Sequence, residues 1–189
     1  MSEDFLSGRK RTNEEEYFQK QDRELIEKAR QRAQAERQLR ELGDTIGVTD
    51  PEITRELAEL GFTPETVKLL PLIPVLEMAW AEGDVTPPER KMLVDVARTR
   101  GIVEGSAADR QLAEWLDRRP EESVFRRAGR LINALFASGG RFDVTRDDLL
   151  KYCEAIADAS GGLFGIRRVS ADERATLERI ANEIKSKQT

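Results

Sequence analysis

An all-α helical bundle is the fold class this chain predicts, and three observations carry it. Capping residues and prolines recur just ahead of apolar stripes of helical spacing, as at Asp50-Pro51, Thr86-Pro87 and Ser170. Glycines punctuate the far ends of several of these stripes, as at Gly61 and Gly101. Nowhere does a run of alternating β-branched residues suggest a strand. The 189 residues leave room for one domain with an ample core plus an appendage. The 35% charged content, with a mean hydropathy of −0.58, suggests that part of the length lies outside that core.

The elements follow in order. Thr12 to Glu15 (TNEE) forms a possible capping box, and from there to Leu42 no proline or glycine interrupts. Glu16–Lys20, Glu24–Lys28 and Glu36–Arg40 are i,i+4 pairs in the favourable orientation. Apolar residues are sparse and bunched, Tyr17 with Phe18 and Leu25 with Ile26. No a/d heptad is sustained, so residues 1–43 read as a solvated single helix that would gain by docking on a partner. Residues 44–49 read as a linker and residues 50–186 as the bundle.

Within the bundle, Asp50-Pro51 opens a helix with the stripe Ile53, Leu57 and Leu60, closed by Gly61. Thr63 to Thr66 starts a short helix. Pro71 and Pro74 belong to the first turn of the next, which runs to about Ala81 with Leu72, Val75, Leu76, Ala79 and Trp80 inward. Further helices are expected over Pro87–Arg100, Ala107–Arg118, Glu121–Ala137, Arg146–Ser160 and Ala171–Lys185. Trp80 and Trp115 read as core or rim packing.

Composition excludes several chemistries. There is no histidine, which removes Ser-His and Cys-His catalysis, zincin motifs and histidine-based pH sensing. The single cysteine, Cys153, allows no internal disulfide and sits at a helical spacing that suits a small buried hydrophobe or, alternatively, a reactive thiol. No Walker loop appears, and Gly161 to Gly165 (GGLFG) matches neither phosphate-binding fingerprint. The net charge of −5 argues against nucleic acid as a partner. The apolar run Val67 to Trp80 is short and carries prolines and charges, so membrane insertion is not expected, and no apolar segment of a secretory signal opens the chain. A non-enzymatic, cytoplasmic protein without cofactor is the expectation, a divalent cation being the one possible exception. Arg118, Arg119, Arg126, Arg127 and Arg130 could form a basic patch diluted by acidic neighbours, and Arg167 with Arg168 forms a basic loop.

One signature occurs twice. VTPPERKML at Val85 to Leu93 and VSADERATL at Val169 to Leu177 each place an apolar residue before a capping hydroxyl, with a glutamate three positions after that hydroxyl. Thr86 with Glu89, and Ser170 with Glu173, each build a tight corner into a new helix, Val85 and Val169 acting as hydrophobic staples.

The stretch Ala79-Trp80-Ala81-Glu82-Gly83-Asp84-Val85-Thr86 through Glu89, with its second copy from Ala157 to Glu173 interrupted by the insert LFGIRR, resembles the TerB-like (tellurite-resistance) domain over about residues 65–185. That resemblance implies an all-helical fold with two related helix pairs. It also implies acidic clusters that bind a metal ion, Glu82, Asp84 and Glu89 at the first corner and Asp158, Asp172 and Glu173 at the second. Plain helix capping is the competing role for Glu89 and Glu173. The N-terminal segment is similar to the inhibitory segment of the mitochondrial ATPase inhibitor protein. The likeness lies in Phe5, the basic Arg9, Lys10 and Arg11, the acidic Glu14, Glu15 and Glu16, the aromatic pair Tyr17 and Phe18, and then Leu25 and Ile26. It implies a protein partner, the F-type ATPase, engaged by these residues.

Overall fold

The computed structural model describes residues 3–140, 144–160 and 170–185, with side chains from residue 19 onward except those of Ser160 and Lys185. Among the described residues it is all-helical, with no strand and no helix long and apolar enough to cross a membrane. Helices α1 (Glu3–Ile46), α2 (Pro51–Glu59), α3 (Ile73–Ala79), α4 (Pro87–Thr99), α5 (Ala107–Asp117), α6 (Glu122–Ser138), α7 (Arg146–Ser160) and α8 (Ala171–Lys185) follow one another, with a 3₁₀ turn at Val67–Leu72. The chain divides into two units, Met1–Arg40 and Glu41–Thr189.

The first unit is helical from Glu3, so the helix does not begin at the Thr12 box; Thr12 lies inside α1. Its described side chains, residues 19–40, are exposed apart from the half-buried Leu39. The polar groups bond along the helix itself: Arg23 Nε donates to the Gln19 carbonyl at 3.1 Å, and Glu36 pairs with Arg40 at 3.8 Å. With so few apolar positions, the segment has no stripe from which to build a core.

The second unit begins inside α1. Leu42, Ile46 and Val48 are buried in its core, so residues 44–49 are not the expected linker. Gly43 invites that misreading, because glycine commonly marks a helix end. Here it is helical, and the left-handed turn falls at Gly47 (φ 69°). The Val48 amide donates back to the Gly43 carbonyl at 2.9 Å. A Cβ on Gly43 would lie 2.7 Å from the Val48 carbonyl oxygen, which is why the position needs glycine.

Local chemistry sets the other ends. Asp50 Oδ1 accepts the Glu52 amide at 2.8 Å and starts α2 at Pro51. Pro71 does not share a helix with Pro74: it lies in the 3₁₀ turn, and α3 starts at Ile73 with Pro74 in its first turn. A proline has no N–H to give to a longer helix, so the chain winds tightly first. The helix ends at Ala79, two residues before the expected Ala81, with Trp80 at its cap. Helices α4 to α8 lie within a residue of their expected bounds. Gly139 takes the left-handed cap of α6 (φ 74°), and the Gly140 amide then reaches the Leu135 carbonyl at 2.8 Å.

Every residue of α3 is buried, which makes it the central rod of the bundle. It packs against α4, α6, α7 and α8. The core fills from Leu93 and Ala97 of α4, Leu112 and Leu116 of α5, Phe125, Ile132 and Leu135 of α6, and Leu149, Cys153 and Ile156 of α7. Each fully buried large side chain contributes about 2 kcal/mol. Trp80 donates its indole N–H to the Trp115 carbonyl at 2.9 Å, and Phe62 meets the Trp115 ring edge-on, with centroids 6.0 Å apart. Both tryptophans therefore serve packing. The repeated helix pairs are α3–α4 and α7–α8, and the two leading helices, α3 and α7, pack directly on each other.

Candidate functional site

The two corners are built as their residue types demand. At the first, one carboxylate oxygen of Glu89 accepts both the Thr86 amide and the Thr86 hydroxyl, each at 2.7 Å. At the second, Glu173 accepts the Ser170 amide at 2.6 Å, and the Ser170 hydroxyl accepts the Glu173 amide at 3.1 Å. Both glutamates are engulfed, Glu89 2% and Glu173 1% exposed. Burial raises the Glu89 carboxyl above its ordinary range against the pull of its Thr86 hydrogen bonds, and the charges of Glu173 and Glu82 push it further up. The charge of one copy's capping acid thus reaches that of the other.

The remaining expected ligands face solvent. Glu82, Asp84, Asp158 and Asp172 are exposed. Among the described residues, no three histidine, cysteine, aspartate or glutamate side chains form a group that could hold a metal ion. The capping role of Glu89 and Glu173 is what the hydrogen bonds display. Val169 and the loop with Arg167 and Arg168 lie outside the described residues.

On α1, Leu25 is 63% and Ile26 52% exposed, neighbours on a charged helix. The side chains of Phe5, Arg9, Arg11, Glu14, Glu15, Glu16, Tyr17 and Phe18 lie outside the described residues.

The other candidates resolve into structure. Cys153 is buried in α7, and burial with the charges of Glu77 and Glu154 pushes its thiol up to about 12, so it holds little thiolate at neutral pH. The arginine patch is largely spent: Arg127 pairs with Glu56 at 3.3 Å and Glu59 at 3.0 Å, Arg130 with Glu56 at 3.6 Å, and Arg119 with Glu122 at 3.2 Å. A surface groove of about 590 Å³ between α4 and α7, lined in part by Met92, Val96 and Tyr152, has its rim charges Lys91 and Asp95 joined at 2.7 Å.

Sequence reasoning missed one polar cluster. Glu77, only 5% exposed, sits within the apolar α3 and pairs with Arg179 of α8. Arg179 also holds Glu183 at 3.0 Å, and Asn133 of α6 donates to the Glu183 carbonyl while its own buried Oδ1 has no hydrogen-bond partner. Burial drives the Glu77 carboxyl up to about 7 against the pull of Arg179, with Glu122 and Glu183 adding to the rise. The one local signal was a lone acid amid apolar residues in Val75 to Trp80.

No family model matches this chain, and no curated protein or solved structure matches it either.

Proposed function

We propose that this chain is a non-enzymatic regulatory protein that binds a protein partner through α1, and that its target is an F-type ATPase. The observation that supports this reading is the adjacent pair Leu25 and Ile26, both more than half exposed on a helix whose other described residues are almost all polar or small. Apolar anchors set among charges are how helices commonly engage a groove on a partner. The likeness of the segment from Phe5 to Ile26 to the ATPase inhibitor names the target, with Tyr17 and Phe18 as further anchors and Arg9, Arg11 and Glu14 to Glu16 as the electrostatic complement. The reading takes the protein to act in the cytoplasm, without a cofactor.

The test is ATP hydrolysis by the F-type ATPase isolated from the source organism, titrated with the full chain. Inhibition is expected, and Leu25→Asp with Ile26→Asp, or Tyr17→Ala with Phe18→Ala, abolishes it. An ATPase that runs undiminished at saturating protein, in an assay where an authentic inhibitor works, rejects the target.

A second reading is favoured by the two buried capping acids, Glu89 and Glu173, the charge of one reaching the other: a stress-response domain of the tellurite-resistance type in which the acidic corners take a divalent cation. There Glu82→Ala with Asp84→Ala removes function, whereas the tail substitutions leave it intact. Calorimetric titration with calcium, showing heat lost in that variant, would separate the two.

A further inference from the structure

We propose that the contact between α3 and α8 is a pH-responsive latch, in which the charge on Glu77 decides how firmly α8 stays docked. The geometry is specific. The apolar seam of α8 is thin: Ile180 and Ile184 are its buried aliphatic side chains, with Leu177 only half buried. The rest of its grip on the bundle is polar, and at its centre the Arg179 guanidinium is shared between Glu77 on α3 and Glu183 on α8 itself. One cation thus serves two carboxylates, and one of these lies in the interior. The charged groups that act on Glu77 are Arg179 and Glu183 from α8 and Glu122 from the start of α6; the Cys153 thiol of α7 faces it too and keeps its proton under the Glu77 charge. Arg179 alone favours the ionised form.

The consequence follows from linkage. A carboxyl that keeps its proton when docked, and gives it up readily when opened to water, makes opening more favourable as pH rises. The docked carboxyl is held at about 7, and water admitted by opening lets it fall toward its ordinary 4.5, so docking is firmest at low pH and loosens as pH climbs through 7. The chain has no histidine, so the group that normally senses this range is missing. Glu77 supplies the titration instead, and it does so beside the helix it fastens. A helix with so few buried apolar contacts is the kind of unit that opens on its own, short of global unfolding. This inference stands apart from the role of α1.

Amide hydrogen exchange of the full chain between pH 5.5 and 7.5 tests it, each rate corrected for intrinsic exchange. Protection of α8 is expected to fall about 20-fold across that range while α5 holds steady, and Glu77→Gln abolishes the fall in α8. Protection of α8 that is flat in the natural chain, or that falls equally in Glu77→Gln, overturns the latch. Because Glu77→Gln alters a core position, Arg179→Gln gives an independent reading. Without the one favourable cation, the midpoint moves to higher pH; an unmoved or lowered midpoint also overturns it. Carbon-13 titration of the Glu77 carboxyl in the natural chain adds a third check, a midpoint near 4.5 counting against the proposal.

Discussion

The carboxylate of Glu77 on α3 and the guanidinium of Arg179 on α8 meet in the bundle although 102 residues separate them in the chain. Glu77 is buried and cannot fall back on water if its partner is lost. Arg179→Met is therefore expected to cost about 2 kcal/mol in urea unfolding at pH 8, the figure set below that of a fully buried pair because Arg179 is 39% exposed. The cost shrinks at pH 5.5, where Glu77 keeps its proton in the folded state. A penalty equal at both pH values would contradict the pairing.

Global stability carries the same sign. Glu77 has its folded-state value raised, so its contribution is fully present below 4.5 and is lost as pH rises through about 7. Between those limits the unfolded chain releases the proton first, so unfolding becomes easier with pH. The loss is on the order of 2 kcal/mol, and chemical denaturation at intervals from pH 4.5 to 8 measures it, with Glu77→Gln giving the flatter curve.

The corners differ in what their hydroxyls do. Ser170 accepts the Glu173 amide, so Ser170→Ala strips an N-cap and is expected to cost about 1 kcal/mol. Ser170→Asp restores an acceptor, but places a second carboxylate against Glu173 and recovers less than the full loss. Thermal unfolding of the three chains ranks them.

Two glycines offer a matched pair. At Gly43 a Cβ meets a backbone oxygen at 2.7 Å, which moves only with the turn that carries it. At Gly129 it meets Glu183 Oε2 at 2.9 Å, the far end of a side chain whose other carboxylate oxygen is held by Arg179 at 3.0 Å. Gly43→Ala is expected to destabilise by about 2 kcal/mol and Gly129→Ala by less, about 1 kcal/mol, because gained helix propensity offsets only part of the cost of shifting the paired carboxylate. Equal effects would contradict the geometry.

Cys153 is expected to resist a thiol-reactive dye in the native chain at pH 8 and to react at once in denaturant, since burial and neighbouring negative charge both hold the proton on sulfur. Rapid native labelling would refute its burial.

How much of this was legible beforehand depended on distance along the chain. Thr86 with Glu89 and Ser170 with Glu173 are three residues apart, and their chemistry is decided within a turn. The same locality made the bounds of α4 through α8 readable. Glu77 was not readable as a site, because what gives it meaning is a guanidinium delivered by α8 across the core. Gly43 misled for the opposite reason: its local meaning was a stop, and only the returning Val48 carbonyl reveals why it is glycine. The two acids that cap were legible from their spacing, whereas the spacing did not show that the corners turn Glu82, Asp84, Asp158 and Asp172 to solvent while drawing Glu89 and Glu173 inward.

The burial of Leu42 and Ile46 at the end of α1 changes what it means to cut the tail away. A chain begun at residue 48 loses two aliphatic plugs as well as the segment proposed to bind a partner, and it would open with a gap in its core. A tail-less control that starts at Glu41 keeps both side chains, so a lost activity can then be blamed on the missing anchors rather than on a leaking core.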